Sequence, residues 1–202
     1  DKCVRLLRRP FCLIVCCGLP AHVGYKKEEP WPVSPGKERI SMYASIIDSI
    51  GNTPLVKIQT INPVPGVTIL AKLEYMNPGG SIKDRAALYM INQAEADGEL
   101  TPEKTVIEAT SGNTGIGLAM ICAVKGYKLA LAMAESASEE RKKILKARGA
   151  RIILTPRHLG SDGAIEEAYR LAREYPDKYF LTDQYNNEAN WKAHYNTTGP
   201  EI

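Results

Sequence analysis

Short apolar runs alternate regularly along this chain with longer segments of helical spacing. Strand-like runs cover 67–73, 105–108, 128–133, 151–155 and 179–182, and helix-like segments cover 82–96, 113–125, 138–148 and 162–175. Such alternation with short connections predicts a parallel α/β sheet with right-handed crossovers. We expect a three-layer fold, in which a parallel or mixed sheet has helices on both faces. Ligands of such sheets bind beyond the carboxyl ends of the strands.

The first 41 residues differ from the rest of the chain. Basic residues precede a short apolar run at 11–17, and a proline-rich polar stretch follows. This pattern leaves a secretory signal and an organelle transit peptide open, but the apolar run is short for a signal peptide. We interpret 1–41 as a disordered or non-native leader and place the folded part at 42–202. No run approaches the roughly 20 apolar residues of a membrane-spanning helix.

Charge and cysteine usage exclude several classes of protein. The net charge is only +3, and the basic residues after position 40 are interleaved with acids, which disfavours binding to nucleic acid. Four of the five cysteines lie in the first 17 residues, so a disulfide scaffold is disfavoured and a reducing, cytoplasmic compartment is favoured. The three histidines are too far apart for a local metal motif. We expect no metal, nucleic acid or membrane partner.

A run of small polar residues, Thr-Ser-Gly-Asn-Thr at 110–114, stands between a predicted strand and a predicted helix. Hydroxyls and free backbone N–H groups at a helix N-terminus can bind a carboxylate or phosphate. Gly112 permits close approach of the backbone, and the amide of Asn113 suits a phenolic oxygen. Capping the helix would require only one of these residues. The segment therefore predicts an anion site.

Lys83 occupies an unusual position for a cation. Gly-Gly-Ser at 79–81 predicts a turn with Ser81 as the N-cap, so Lys83 falls in the first helical turn. A positive charge there opposes the helix dipole, whereas the neighbouring Asp84 suits it. The residues alone leave two interpretations open, a solvated lysine and a reactive amine of the kind used in Schiff-base chemistry.

Four segments occur together in a familiar order. They are Ile-Gly-Asn-Thr-Pro-Leu at 50–55, Asn-Pro-Gly-Gly-Ser-Ile-Lys-Asp-Arg at 77–85, Glu-Ala-Thr-Ser-Gly-Asn-Thr-Gly at 108–115 and Thr-Thr-Gly-Pro-Glu-Ile at 197–202. This order resembles the cysteine synthase family of fold-type II pyridoxal-phosphate enzymes, which includes cystathionine β-synthase. The likeness extends over about 46–202. Glu-Ala at 108–109 and Asp-Gln-Tyr-Asn-Asn at 183–187 are more similar to the B type, O-acetylserine sulfhydrylase B.

The resemblance implies a role for each matching residue. Lys83 would be the catalytic lysine, which forms the Schiff base with pyridoxal 5'-phosphate and later acts as general base. Asn113 would hydrogen-bond the 3′-oxygen of the cofactor. The residues implied to bind the substrate carboxylate are Thr110, Ser111, Gly112, Thr114 and Gln184. No metal is implied.

The resemblance also implies an activity. It predicts cysteine biosynthesis by β-replacement of O-acetylserine with sulfide or thiosulfate, giving cysteine or S-sulfocysteine, in a cytoplasmic homodimer. A cystathionine β-synthase-like enzyme, an O-phosphoserine-using enzyme and a catalytically incomplete truncated paralogue remain alternatives. Family members continue past the position of Ile202, and their phosphate-binding loop lies in that later part. We therefore expect 42–202 to be the N-terminal portion of a catalytic domain, which by itself is inactive and binds the cofactor weakly or not at all.

Overall fold

The computed structural model describes residues 42–60 and 66–202, together with two short strands near the N-terminus, β1 (Val4–Arg5) and β2 (Leu13–Val15). The chain divides into two compact units. One comprises 1–44 and 54–73, and the other comprises 45–53 and 74–202. Most of the predicted leader lies outside the described residues, so its disorder stays a prediction.

The smaller unit is built on an antiparallel sheet. Strands β3 (Leu55–Lys57) and β4 (Ile69–Lys72) join β1 and β2 in the order β1-β2-β4-β3. Leu55 pairs with Lys72 in the β3–β4 register. The strand predicted at 67–73 is present but shorter, since only the four residues Ile69–Lys72 are strand.

The larger unit contains a parallel sheet of four strands in the order β7-β6-β5-β8. Its strands are β5 (Thr105–Ala109), β6 (Lys128–Ala134), β7 (Arg151–Thr155) and β8 (Tyr179–Leu181). Its helices are α1 (Lys83–Ala96), α2 (Asn113–Lys125), α3 (Glu139–Ala147), α4 (Gly160–Glu174) and α5 (Glu188–Ala193). Short 3-10 helices cover Ile46–Ser49, Glu74–Met76 and Arg157–Leu159, and one π-helical turn covers His194–Thr198.

Helices cover both faces of the parallel sheet. Successive strand residues point to opposite faces, so each strand contributes side chains to two buried clusters. On one face, Val106 of β5 and Leu131 of β6 share a buried cluster with residues of α1, α2 and α3. On the other face, Ile107 and Ala130 share a second cluster with Ala164 and Ala168 of α4. The predicted three-layer α/β fold is confirmed.

The ends of helices α2 and α3 are marked by residues that stabilise a helix terminus. Helix α2 ends at Lys125 as predicted, and Gly126 after it has a left-handed φ of +82° that glycine adopts without strain. The helix predicted at 138–148 is present as α3, which begins at Glu139, and the Ser138 side chain before it makes no cap hydrogen bond. Two glutamates in the first turn of α3 instead complement the helix dipole. Over the residues described, no helix is both long enough and apolar enough to span a bilayer.

Candidate active site

The 110–112 turn joins the end of β5 to the start of α2, at the carboxyl edge of the parallel sheet. The N–H of Thr110 donates to the carbonyl of Ala132 on β6 over 3.0 Å. The N–H of Gly112 donates to the Thr110 hydroxyl over 3.1 Å, and Gly112 is the N-cap of α2. The predicted anion segment therefore lies where ligands of parallel sheets bind.

Lys83 is the first residue of α1, and its side chain is half-buried. The N-cap of α1 is Ile82 and not the predicted Ser81. The Ser81 hydroxyl nevertheless accepts a hydrogen bond from the N–H of Lys83 over 3.1 Å. The Lys83 Nζ has no hydrogen-bond or ion-pair partner in the described parts of the chain. The amine is therefore available to an external group.

Helices α1 and α2 pack against each other near their N-termini. A Cβ placed on Gly117 of α2 would lie 3.2 Å from the backbone carbonyl oxygen of Lys83, so the absence of a side chain permits this close crossing. Gly117 lies about one helical turn beyond Asn113, the exposed first residue of α2. Lys83 and Asn113 thus begin two adjoining helices.

Gln184 reaches the anion segment from beyond β8. The Thr114 hydroxyl donates to Gln184 Oε1 over 2.9 Å, across a sequence separation of 70 residues. A cavity of about 350 Å³ is lined by the 110–112 turn, Gln184, Arg141 and Ser161, among other residues. Neither Lys83 nor Asn113 is among the described residues that line this cavity. The cavity is thus lined by four of the predicted site residues, Thr110, Ser111, Gly112 and Gln184. Lys83 and Asn113 lie at the α1–α2 crossing, and Thr114 contacts Gln184.

Arg85 is the centre of a buried cluster that the sequence analysis missed. Its side chain is 1% exposed, and its guanidinium donates to Glu74 Oε2 over 2.8 Å and to Glu201 Oε2 over 2.7 Å. The Thr53 hydroxyl donates to Glu74 Oε1 over 2.6 Å, and the N–H of Asn52 donates to Glu201 Oε1 over 3.0 Å. Parts of three of the four motifs, near residues 52, 85 and 201, therefore meet at one guanidinium.

The hydrogen bonds of the cluster stabilise the charged forms of both Glu74 and Arg85. Burial raises the pKa of Glu74, but hydrogen bonds from Arg85 and Thr53 outweigh it and hold that pKa below its ordinary value. Burial lowers the pKa of Arg85, but hydrogen bonds to Glu201 and Glu74 outweigh it and raise that pKa. Arg85 and Glu201 are 116 residues apart, so no local spacing could have revealed their pairing.

Asp84 fixes the turn that precedes Lys83. It is fully buried, and its Oδ2 accepts a hydrogen bond of 2.5 Å from the N–H of Gly79. Its Oδ1 is buried without a hydrogen-bond partner among the residues described. A Cβ on Gly79 would lie 2.3 Å from Asp84 Oδ1, so no side chain fits at position 79 without displacing the carboxyl group.

Replacing Asp84 with asparagine is expected to stabilise the protein at alkaline pH. Burial raises the pKa of Asp84 to about 6, against lowering by the Gly79 N–H and by Arg148. A carboxyl group whose pKa is raised on folding contributes stability at low pH that is lost as the pH rises through about 6. Urea unfolding of the full-length protein should show a gain for Asp84→Asn on the order of 2–3 kcal/mol at pH 8 and a smaller gain at pH 5. A gain independent of pH would contradict this explanation.

His194 lies close enough to Lys83 for their charges to interact. Burial lowers the pKa of His194, and the positive charges of Lys83 and Arg85 lower it further, while Glu74 opposes them. Its Nδ1 is 3.2 Å from the Thr198 hydroxyl oxygen within the π-helical turn. These effects favour the uncharged form of the ring. Among the described residues, including those around His194, no group of three or more His, Cys, Asp or Glu side chains could hold a metal ion.

The family model described as "Pyridoxal-phosphate dependent enzyme" matches residues 46–202. The chain belongs to this family of pyridoxal-phosphate-dependent enzymes. Among curated relatives, it is 54% identical to a cysteine synthase of Flavobacterium sp. over 161 residues, which cover 79% of this chain and 52% of that protein. It is 50% identical to cysteine synthase B of Escherichia coli over 159 residues, which cover 79% of this chain and 52% of that protein.

Solved structures give the same assignment. The cysteine synthase of Entamoeba histolytica is 44% identical with a TM-score of 0.78, covering 84% of this chain and 51% of that one. An O-acetylserine-dependent cystathionine β-synthase from Helicobacter pylori is 39% identical with a TM-score of 0.73, covering 80% of this chain and 53% of that one. The resemblance to fold-type II cysteine synthases is confirmed. The chain spans about half the length of these relatives.

Proposed function

We propose that residues 42–202 form the N-terminal portion of the catalytic domain of a pyridoxal-phosphate-dependent cysteine synthase. The reaction is β-replacement, in which the acetate of O-acetylserine is exchanged for a sulfur nucleophile, sulfide or thiosulfate. The observation that carries the proposal is the unpartnered amine of Lys83 at the start of α1, against the helix that Asn113 begins. We further propose that the full-length protein is a cytoplasmic homodimer, as the family resemblance implies.

The residues at the α1–α2 crossing have the chemistry that pyridoxal phosphate requires. The cofactor carries an aldehyde, which an amine can bind covalently, and a ring oxygen, which an amide can hydrogen-bond. Lys83 would hold the aldehyde carbon, and Asn113 would hold the ring oxygen. When bound, the cofactor supplies an electron sink for negative charge that develops at the substrate α-carbon.

The remaining steps are assigned to side chains of the protein. The 110–114 segment binds the substrate carboxylate through its hydroxyls and through the N–H groups at the start of α2. The Thr114 hydroxyl donates to Gln184 in the structure, so it has to turn away from Gln184 to donate to a carboxylate. Once Lys83 Nζ is free, it removes the proton from the substrate α-carbon as general base. Acetate then leaves from the β-carbon, the sulfur nucleophile adds there, and Lys83 returns the proton to the α-carbon.

The similarity to a cystathionine β-synthase that depends on O-acetylserine favours one second candidate. In that case the nucleophile would be a larger thiol such as homocysteine, and the residues at the α1–α2 crossing would have the same roles.

Product analysis of the full-length protein with added cofactor separates these possibilities. With O-acetylserine as the amino-acid substrate, we expect kcat/KM for sulfide or thiosulfate to exceed that for homocysteine by at least about tenfold. A preference for homocysteine would instead assign the cystathionine-forming activity. Failure of all three nucleophiles would show that the protein is a catalytically incomplete member of the family.

A further inference from the structure

Glu108 is a buried carboxylate for which the reaction has no direct use. It is 2% exposed, and it lies one residue before the end of β5. Its Oε1 accepts from the N–H of Ala109 over 2.8 Å and from the Gln184 side-chain amide over 3.3 Å. Its Oε2 accepts from the Thr182 hydroxyl over 2.5 Å and from the N–H of Gln184 over 3.1 Å. Four donors thus compensate for the cost of burying this group.

The residue between Thr182 and Gln184 has a strained backbone. Asp183 has a φ of +47°, in the left-handed region that costs energy for residues other than glycine. Such a conformation persists only where its surroundings enforce it. Glu108 binds the residues on both sides of Asp183, and the Asp183 carboxylate itself accepts a hydrogen bond from the Tyr169 hydroxyl.

Glu108 also determines which way the Gln184 amide points. Gln184 Nε2 faces Glu108 Oε1 at 3.3 Å and the carbonyl oxygen of Ala109 at 3.2 Å, and both of these oxygens can only accept. Reversing the amide would place its oxygen against two acceptors. The Gln184 oxygen therefore faces Thr114, whose hydroxyl donates to it over 2.9 Å.

We propose that Glu108 is a positioning residue, whose carboxylate holds the 182–184 turn and fixes the Gln184 amide against the substrate-binding segment 110–114. Glu108 is enclosed and acts only through Gln184. The inference rests on the proposed function, in which the 110–114 segment binds the carboxylate of the amino-acid substrate, and Gln184 Oε1 contacts that segment at Thr114.

The direct test is Glu108→Gln in the full-length holoenzyme. The carboxamide replaces one accepting oxygen with a donor, so the 182–184 turn loses part of its support without loss of volume. We expect KM for O-acetylserine to rise about tenfold and kcat to stay within about threefold, because the change weakens substrate binding and leaves Lys83 in place. The Kd of L-serine, measured by calorimetry, should rise by a similar factor. Glu95→Gln is the matched control, because Glu95 accepts from Lys125 and Tyr127 at a different place in the same unit.

A second variant separates this role from general support of the core. Asn adopts positive φ more readily than Asp and keeps an oxygen for the Tyr169 hydroxyl. Asp183→Asn should therefore leave KM unchanged by itself and lower the KM of the Glu108→Gln variant at least about threefold. An unchanged KM in Glu108→Gln would overturn the proposal. Equal losses of kcat, substrate affinity and melting temperature, without rescue by Asp183→Asn, would also overturn it. Failure of the wild-type protein to bind serine or turn over O-acetylserine would refute the proposed function itself.

Discussion

Replacing Lys83 with alanine is expected to lower cysteine formation from O-acetylserine and sulfide by roughly 10³-fold or more in the full-length protein. The loss is large because Lys83 is proposed both to hold the cofactor and to move the α-proton. Folding should be little affected, since the Lys83 amine has no hydrogen-bond or ion-pair partner among the described residues. Steady-state assays and thermal melting would measure the two effects separately.

The matched control for this variant is Lys143→Ala, which removes an exposed lysine on α3. It should retain the wild-type kcat and KM. If Lys83→Ala kept more than about a tenth of the wild-type kcat/KM, Lys83 could not have the role assigned to it.

Replacing Arg85 with methionine is expected to destabilise the full-length protein by roughly 3–5 kcal/mol, because breaking a buried ion pair leaves its partner charge unpaired. Two partners are affected here, since the guanidinium bonds to both Glu74 and Glu201. Methionine keeps most of the side-chain volume, so the loss reflects charge and hydrogen bonding more than a cavity. Urea unfolding at neutral pH would measure it.

Arg170→Met is the control for the Arg85 variant. Arg170 also forms ion pairs with two carboxylates, Glu167 and Glu174, but its side chain is 42% exposed. Water screens exposed pairs, so the unfolding midpoint should barely change. Equal destabilisation by the two substitutions would show that burial of the Arg85 cluster has no special importance.

The elements that the sequence predicted well are those with strong, local patterns. Helix α2 and strand β7 have the predicted bounds, since an unbroken small-apolar helix ending at glycine and a β-branched run are unambiguous. The alternation of strands and helices also predicted that helices cover both faces of the sheet. The helix predicted at 138–148 is one residue shorter at each end, because Ser138 and Arg148 flank α3 as its caps.

Contacts across long sequence separations could not be predicted in the same way. The family resemblance implied only that Gln184 and Thr114 bind the same carboxylate, not that they bond to each other. The Arg85–Glu201 pair was not foreseen at all. Glu108 was noted as a marker of the B type, but nothing in a strand sequence shows that four donors will surround a carboxylate. The positive φ of Asp183 likewise depends on partners from another strand.

Chemical trapping can identify the lysine that binds the cofactor. The full-length protein would be incubated with pyridoxal phosphate and reduced with borohydride, which converts the link between the cofactor and a lysine into a stable single bond. Proteolysis and mass spectrometry would then identify the modified peptide. We predict that the modification maps to Lys83 and disappears in Lys83→Ala. Stoichiometric modification of a different lysine, with Lys83 unmodified, would contradict the assignment.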